Sequence, residues 1–342
     1  MTDMRACVAG AAVHLAERWI DIAEREAQIA AASAPFVPPA GLVHRLTGVE
    51  GVHLVAPDQQ ASDLAVAAAR KALAEDGASV RDIDLMIFAA GSQDMAEPAT
   101  GHIVAAKLGL TCPAFDVKNA CNSVLNGMEV AAALIAAGRY RTVLITCGEA
   151  PSLTARLRVS DNATFFRSFA SYGFSDAGAA VLLRAGANTS PSAPGVLGSR
   201  FAADSAAWDS ATFRFGGTVA RDPAGERAYF EMDGSRLRKS IDGLGWGSLR
   251  PLLDELGLEW TDFAFVGVHQ VAVADVERYP EDPGIPADRL ILTLPRHGNV
   301  ASASLPLQLV RAIETGKARP GDLIALVGLA AGTSTGLMVI RL

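Results

Sequence analysis

A fixed order of elements, run through twice, limits most strongly how this 342-residue chain can fold. In the first pass, a helix read at about 61–76 leads to an apolar strand at 84–89, and a helix near 99–108 leads to the short strand Ala114-Phe115-Asp116-Val117. A small-residue turn then opens an apolar helix at about 121–138, and strands follow at 142–146 and 177–184. In the second pass, a helix at about 234–256 precedes a strand at 263–268 and a further helix. A strand at 290–294, a turn holding Gly298, a helix at about 300–315 and strands at 323–327 and 335–341 complete it. Helices alternating with strands predict a largely parallel α/β architecture. Repetition of the order predicts an internal duplication about a pseudo-twofold axis, with Cys121 and Asn299 in equivalent places before the two helices. The halves are 1–185, and 186–342 with its leading connection. The stretch 186–232, rich in Gly, Ser, Pro and Ala with interspersed Phe and Trp, reads as a long connection with a hairpin over the substrate entrance.

A chain of this length can bury a sizeable core, and half of its residues are apolar. The net charge of −7, with no basic cluster, argues against nucleic acid as a partner. Four cysteines, Cys7, Cys112, Cys121 and Cys147, match neither a metal-binding nor a CxxC spacing, so no metal is expected. Charged residues at Asp3, Arg5, Glu17 and Arg18 leave no leader-like apolar run. The most apolar tract, 322–340, is broken by Gly328, Gly332, Thr333, Ser334 and Gly336, so it reads as two buried strands joined by a turn rather than a membrane span. A cytoplasmic protein with reduced thiols is the expectation.

Cys121 falls between a buried strand and the first turn of an apolar helix, where free N–H groups and the helix dipole favour a thiolate. A lowered thiol pKa and nucleophilic chemistry on thioesters are expected there, although free cysteine is also a common packing residue. His269 directly follows an apolar strand, a position that lines the crevice in α/β folds. Asn299, in Arg296-His297-Gly298-Asn299, suits either a helix cap or an amide donor toward a carbonyl or enolate oxygen. His297 reads as a turn residue supporting that position.

These segments resemble the ketoacyl synthase III family of the thiolase superfamily: Phe115-Asp116-Val117 through Cys121, His269-Gln270, Arg296-His297-Gly298-Asn299, the run Phe174 to Ala180, and the turn at 328–336. The likeness covers nearly the whole chain. It implies the thiolase fold, with two duplicated α/β halves stacked as a five-layer αβαβα sandwich, and usually a homodimer. It implies that Cys121 accepts an acyl group from coenzyme A or an acyl carrier protein, with no tightly bound cofactor. His269 and Asn299 would bind the second substrate's carbonyl oxygen, and the N–H groups of Cys121 and Ala331 would form the oxyanion hole. The implied reaction is a carbon–carbon bond-forming Claisen condensation in fatty-acid or polyketide-type metabolism. An acyl transfer from Cys121 to an alcohol or amine is the alternative.

A narrower likeness is to the olefin-pathway thiolases, carried by Asn119-Ala120-Cys121, Val124-Leu125-Asn126-Gly127-Met128 and His269-Gln270-Val271. It implies head-to-head condensation of two acyl-CoAs without decarboxylation, with Glu97 serving a partner subunit's site as base. The chain also departs from the family pattern. Ala272 stands where an asparagine is usual, and Leu42 and Leu46 stand where a tryptophan and an arginine sandwich the CoA adenine. Arg45 and Arg167 are then the candidates for CoA or carrier phosphate.

Overall fold

The computed structural model describes residues 4–190, 192–219 and 228–342. In chain order the first strands are β1 (Met4–Leu15), β2 (Arg18–Asp21), β3 (Gly51–Leu54), β4 (Leu85–Ala89), β5 (Ala114–Val117), β6 (Thr142–Glu149) and β7 (Ala177–Ala187). They are followed by β8 (Gly195–Ala203), β9 (Ala211–Phe213), β10 (Phe230–Met232), β11 (Phe265–Val268), β12 (Leu323–Ala330) and β13 (Ser334–Arg341). Two sheets carry the fold, one in the order β1-β7-β6-β4-β5 and the other in the order β11-β12-β13-β8. β4 runs parallel to β5 and β6, and β11 runs parallel to β12. The remaining pairs, β1–β7 and β6–β7 in the first sheet and β12–β13 and β13–β8 in the second, are antiparallel.

Side-chain alternation sorts the sheets into layers. On β12, Ile324 and Leu326 join the large core that also holds β4, β6 and the helix Ser123–Ala136. Ala325 and Val327 face the opposite way, into a second core with Leu252, Leu253 and Phe263. The helices Ser123–Ala136 and Ser304–Glu314 therefore lie between the two sheets, and helices coat each outer face: five layers, α-β-α-β-α.

The outer helix Ala61–Asp76 has the predicted bounds, with seven alanines in its sixteen residues. Gln60 and Asp63 cap its start reciprocally, and Gly77 closes it in the left-handed conformation. It lies very close to the sheet. Gly148 on β6 and Gly178 on β7 face each other in register, and a Cβ on either would fall 1.9 Å from the carbonyl oxygen of Ala61 or Leu64. No side chain fits between helix and sheet there.

Three expectations are corrected. The stretch 290–294 is not a strand, because its polar groups are satisfied by one side chain. Gln270 Oε1 accepts from the backbone N–H groups of Thr293 and Leu294 at 3.0 Å, and Gln270 Nε2 donates to the Ile291 carbonyl at 2.7 Å. The helix at 234–256 is two helices, Gly234–Leu244 and Arg250–Leu256, separated at Gly245, whose φ is +55°. The connection 186–232 holds β8, an edge strand of the second sheet, as well as the β9–β10 hairpin; its residues 191 and 220–227 lie outside the described residues. The apolar tract near the C-terminus is the antiparallel pair β12–β13. Among the described residues no helix is long and apolar enough to cross a membrane.

Candidate active site

The turn after β5 is tight. Asn122 N–H and Ser123 N–H donate to the carbonyls of Asn119 and Ala120, and Ser123 Oγ also donates to Ala120 O at 2.7 Å. Ala120 is driven to φ +45°, which costs a non-glycine residue roughly 1–2 kcal/mol. The strain presents Cys121 at the mouth of the helix Ser123–Ala136. In the second half Ala301 has φ +49°, and Ser304 Oγ donates to Ala301 O at 2.7 Å. The duplicated turn thus pairs Ala301 with Ala120, so the counterpart of Cys121 is Ser302, with Asn299 three residues upstream. That corrects the equivalence of Cys121 and Asn299 read from spacing.

Asn299 is held from both sides. Its backbone bridges to Gly173 and Ser175, and its side-chain Oδ1 accepts the Ala301 N–H at 2.9 Å. With Oδ1 engaged, the free end of the carboxamide is the NH₂ donor. The neighbouring His297 Nδ1 lies 3.3 Å from His53 Nε2. His53 Nδ1 meets the Ala16 carbonyl, an acceptor, and so carries the proton; His53 Nε2 then accepts and His297 Nδ1 donates. The pair fastens the Asn299 turn to β3.

His269 continues the parallel ladder beyond β11 by donating its N–H to Val327 O. The carboxamide of Gln308, from the central helix Ser304–Glu314, hydrogen-bonds both backbone groups of Val268 just before it. The imidazole is 3% exposed and its Nδ1 has no hydrogen-bond partner among the described residues. Burial lowers its pKa to about 4, so it is neutral at physiological pH.

Cys121, His269, Asn299 and Ala331, the last in the turn between β12 and β13, all line one cavity of about 1770 Å³. The rest of its wall includes Phe213, Phe215 and Tyr229 from the β9–β10 region and Trp246 from the segment between the split helices. Thiol activation differs from the expectation. Burial, and then the Glu149 carboxylate, push the Cys121 pKa up to about 12. Two of the N–H groups expected to stabilise a thiolate are already spent on the turn. Sulfur and imidazole therefore rest as a neutral pair.

Glu149, unmarked in the sequence reading, ends β6, is 1% exposed and also lines the cavity. A charged residue closing an apolar strand reads as a surface residue, so periodicity carried no signal for it. The other expected residues do not reach the cavity wall. Glu97 is exposed and outside it, although Asp94, Met95 and Ala96 contribute to it. Arg45 is exposed on the helix Leu42–Thr47, and Arg167 is exposed and turned toward Glu231 and Thr164. Neither lines the cavity. All four cysteines are free.

The chain matches the 3-oxoacyl-(acyl-carrier-protein) synthase III family over residues 115–205 and the C-terminal family of the same synthase over 253–342. It is 30% identical over 338 residues to a beta-ketoacyl-(acyl-carrier-protein) synthase III of Bordetella petrii, covering 98% of each chain. It is 29% identical over 297 residues to one of Neisseria gonorrhoeae, covering 86% of this chain and 88% of that one. Among solved structures, a variant of Xanthomonas campestris OleA is similar with a TM-score of 0.88 at 24% identity, covering 100% of this chain and 99% of that one. The 3-oxoacyl-(acyl carrier protein) synthase III, FabH, of Pseudomonas aeruginosa is similar with a TM-score of 0.81 at 27% identity, covering 98% of both. The fold is the thiolase fold.

Proposed function

The chain belongs to the 3-oxoacyl-(acyl-carrier-protein) synthase III family, an acyltransferase family of condensing enzymes, and from that premise we propose that it joins two acyl thioesters through an acyl-Cys121 intermediate. The observation that carries the reading is the convergence of Cys121, His269, Asn299 and Ala331 on one cavity, delivered from the strand ends and turns of both halves.

In the first step the sulfur of Cys121 attacks the carbonyl carbon of a coenzyme A or phosphopantetheine thioester. A new S–acyl bond forms and the donor's carbon–sulfur bond breaks. The Cys121 proton passes to neutral His269 and on to the departing thiolate. A base is required, because a thiol raised to about 12 is almost wholly protonated near pH 7. In the second step the carbonyl oxygen of the extending substrate, malonyl-type in this reading, meets N–H donors from His269 and Asn299. Loss of CO₂ leaves an enolate whose negative oxygen those donors stabilise. Its carbon attacks the acyl-Cys121 carbonyl, whose oxygen is received by the N–H groups of Cys121 and Ala331, and collapse returns the thiolate.

Intact-mass measurement after incubation with acyl-CoA and acyl-carrier-protein donors tests the first step. A mass increase equal to the acyl group is expected on the wild-type chain and not on Cys121→Ala. Supplying a malonyl thioester to the acylated enzyme then releases CO₂. An unmodified wild-type chain across the donor panel would overturn the reading. Acylation followed by transfer to an alcohol or amine, without a new carbon–carbon bond, would replace the second step.

A further inference from the structure

We propose that Glu149 is a positioning residue for the condensation step, holding the turn that aims the Asn299 carboxamide and locking it to the nucleophile's half of the molecule; this rests on the proposed function. Glu149 ends β6, while the residue at the same place on its duplicate, β12, is Ala330. The carboxylate therefore belongs to one half only.

Four donors converge on it. Oε1 accepts from Gly91 N–H at 2.7 Å, Ser302 Oγ at 2.5 Å and Ser302 N–H at 3.4 Å, and Oε2 accepts from Ser92 N–H at 3.0 Å. Among the described residues no cation pairs with it. Such a carboxylate is held in place entirely by the donors it organises. Ser302 and Ala301 form one turn, and the Ala301 N–H is the donor that fixes Asn299 Oδ1. The path from Glu149 to the Asn299 amide is thus one hydroxyl and one peptide unit. On the other side, Gly91 is wedged between the carboxylate and the strained turn: a Cβ there would lie 3.5 Å from both Glu149 oxygens and 3.8 Å from Ala120 Cα. One side chain is therefore bonded directly to the turn after Asn299, with Gly91 standing between it and the strained turn before Cys121. An amide could not do the same, since its NH₂ would face Gly91 or Ser92 N–H, a donor against a donor.

The position also gives the residue an electrostatic effect that a neutral spacer would lack. Its negative charge faces Cys121 and resists thiolate formation there. This separates two readouts, one for geometry and one for charge.

Glu149→Gln removes the charge and part of the donor clamp; Ser302→Ala removes only the hydroxyl link. Both are compared with wild type in acyl-Cys121 formation, measured by intact mass, and in turnover with the extending thioester. The pH dependence of Cys121 alkylation by iodoacetamide is followed alongside. Both variants are expected to reach full acyl-Cys121 occupancy while condensation falls at least tenfold, because acylation does not use Asn299. Only Glu149→Gln is expected to shift alkylation toward lower pH. Equal loss of acylation and condensation in both variants, or undiminished condensation in Ser302→Ala, would overturn the proposal. Absence of any acyl-Cys121 in the wild-type enzyme would instead strike the proposed function.

Discussion

The neutral imidazole of His269 makes a quantitative demand on stability. Its pKa is lowered to about 4 in the folded protein by burial, whereas an unfolded histidine titrates near 6.5. Below about pH 6.5 the unfolded chain takes up a proton that the folded chain refuses, so stability falls with falling pH and the loss is complete near pH 4. The full window is worth about 3 kcal/mol, and the part between pH 7.5 and pH 5 about 2 kcal/mol. Other buried groups also shift. Burial raises the carboxyls of Asp116 and Asp176, which opposes the effect, and lowers His53 and His297, which adds to it. A comparison between wild type and His269→Asn cancels them. Urea unfolding at pH 7.5 and pH 5, extrapolated linearly to water, should show wild type losing about 2 kcal/mol more than the variant. Equal losses in the two proteins would refute the assignment of a buried neutral imidazole at this place.

Two further outcomes follow from geometry. Gly178→Ala puts a methyl 1.9 Å from a main-chain oxygen that no rotamer change can move, and should lower stability by about 3 kcal/mol or more, read from the urea midpoint. Glu97→Ala should acylate Cys121 at the wild-type level by intact mass, because Glu97 is exposed and does not line its own chain's cavity. A loss of acylation would place Glu97 in the first step.

The parts of this molecule that were legible in the sequence are those where one local signal decides the structure. The helix Ala61–Asp76 announces itself by alanine content, its Gln60–Asp63 box and Gly77. The β12–β13 pair follows from an apolar tract interrupted by glycine. Cys121, His269 and Asn299 drew notice because they stand at strand ends and helix starts, and the fold places all three on the wall of one cavity. What was missed depends on partners distant in sequence. Residues 290–293 have strand-like composition, but Gln270 takes up their hydrogen bonds. β8 becomes a strand because β13 offers it an edge. Ser302 stands opposite Cys121 in the duplication only because two alanines share a positive φ, which no spacing rule reports. The Cys121 pKa moved against expectation because local reasoning counted the helix dipole, and neither the burial of the thiol nor the carboxylate from another strand.

The paired glycines of β6 and β7 give the first sheet two unlike faces. On one, at Gly148 and Gly178, main chain rests on main chain with nothing compressible in between; on the other, Gly127 of the central helix still meets side-chain carbons of Ala89 and Ile145. A lineage of such proteins drifting toward bulkier or slimmer cargo would find the outer face closed to tinkering at those two glycines, since a carbon added there strikes peptide. Its room for invention lies inward and along the β9–β10 hairpin, where exchanging one side chain for another reshapes the chamber without disturbing the scaffold.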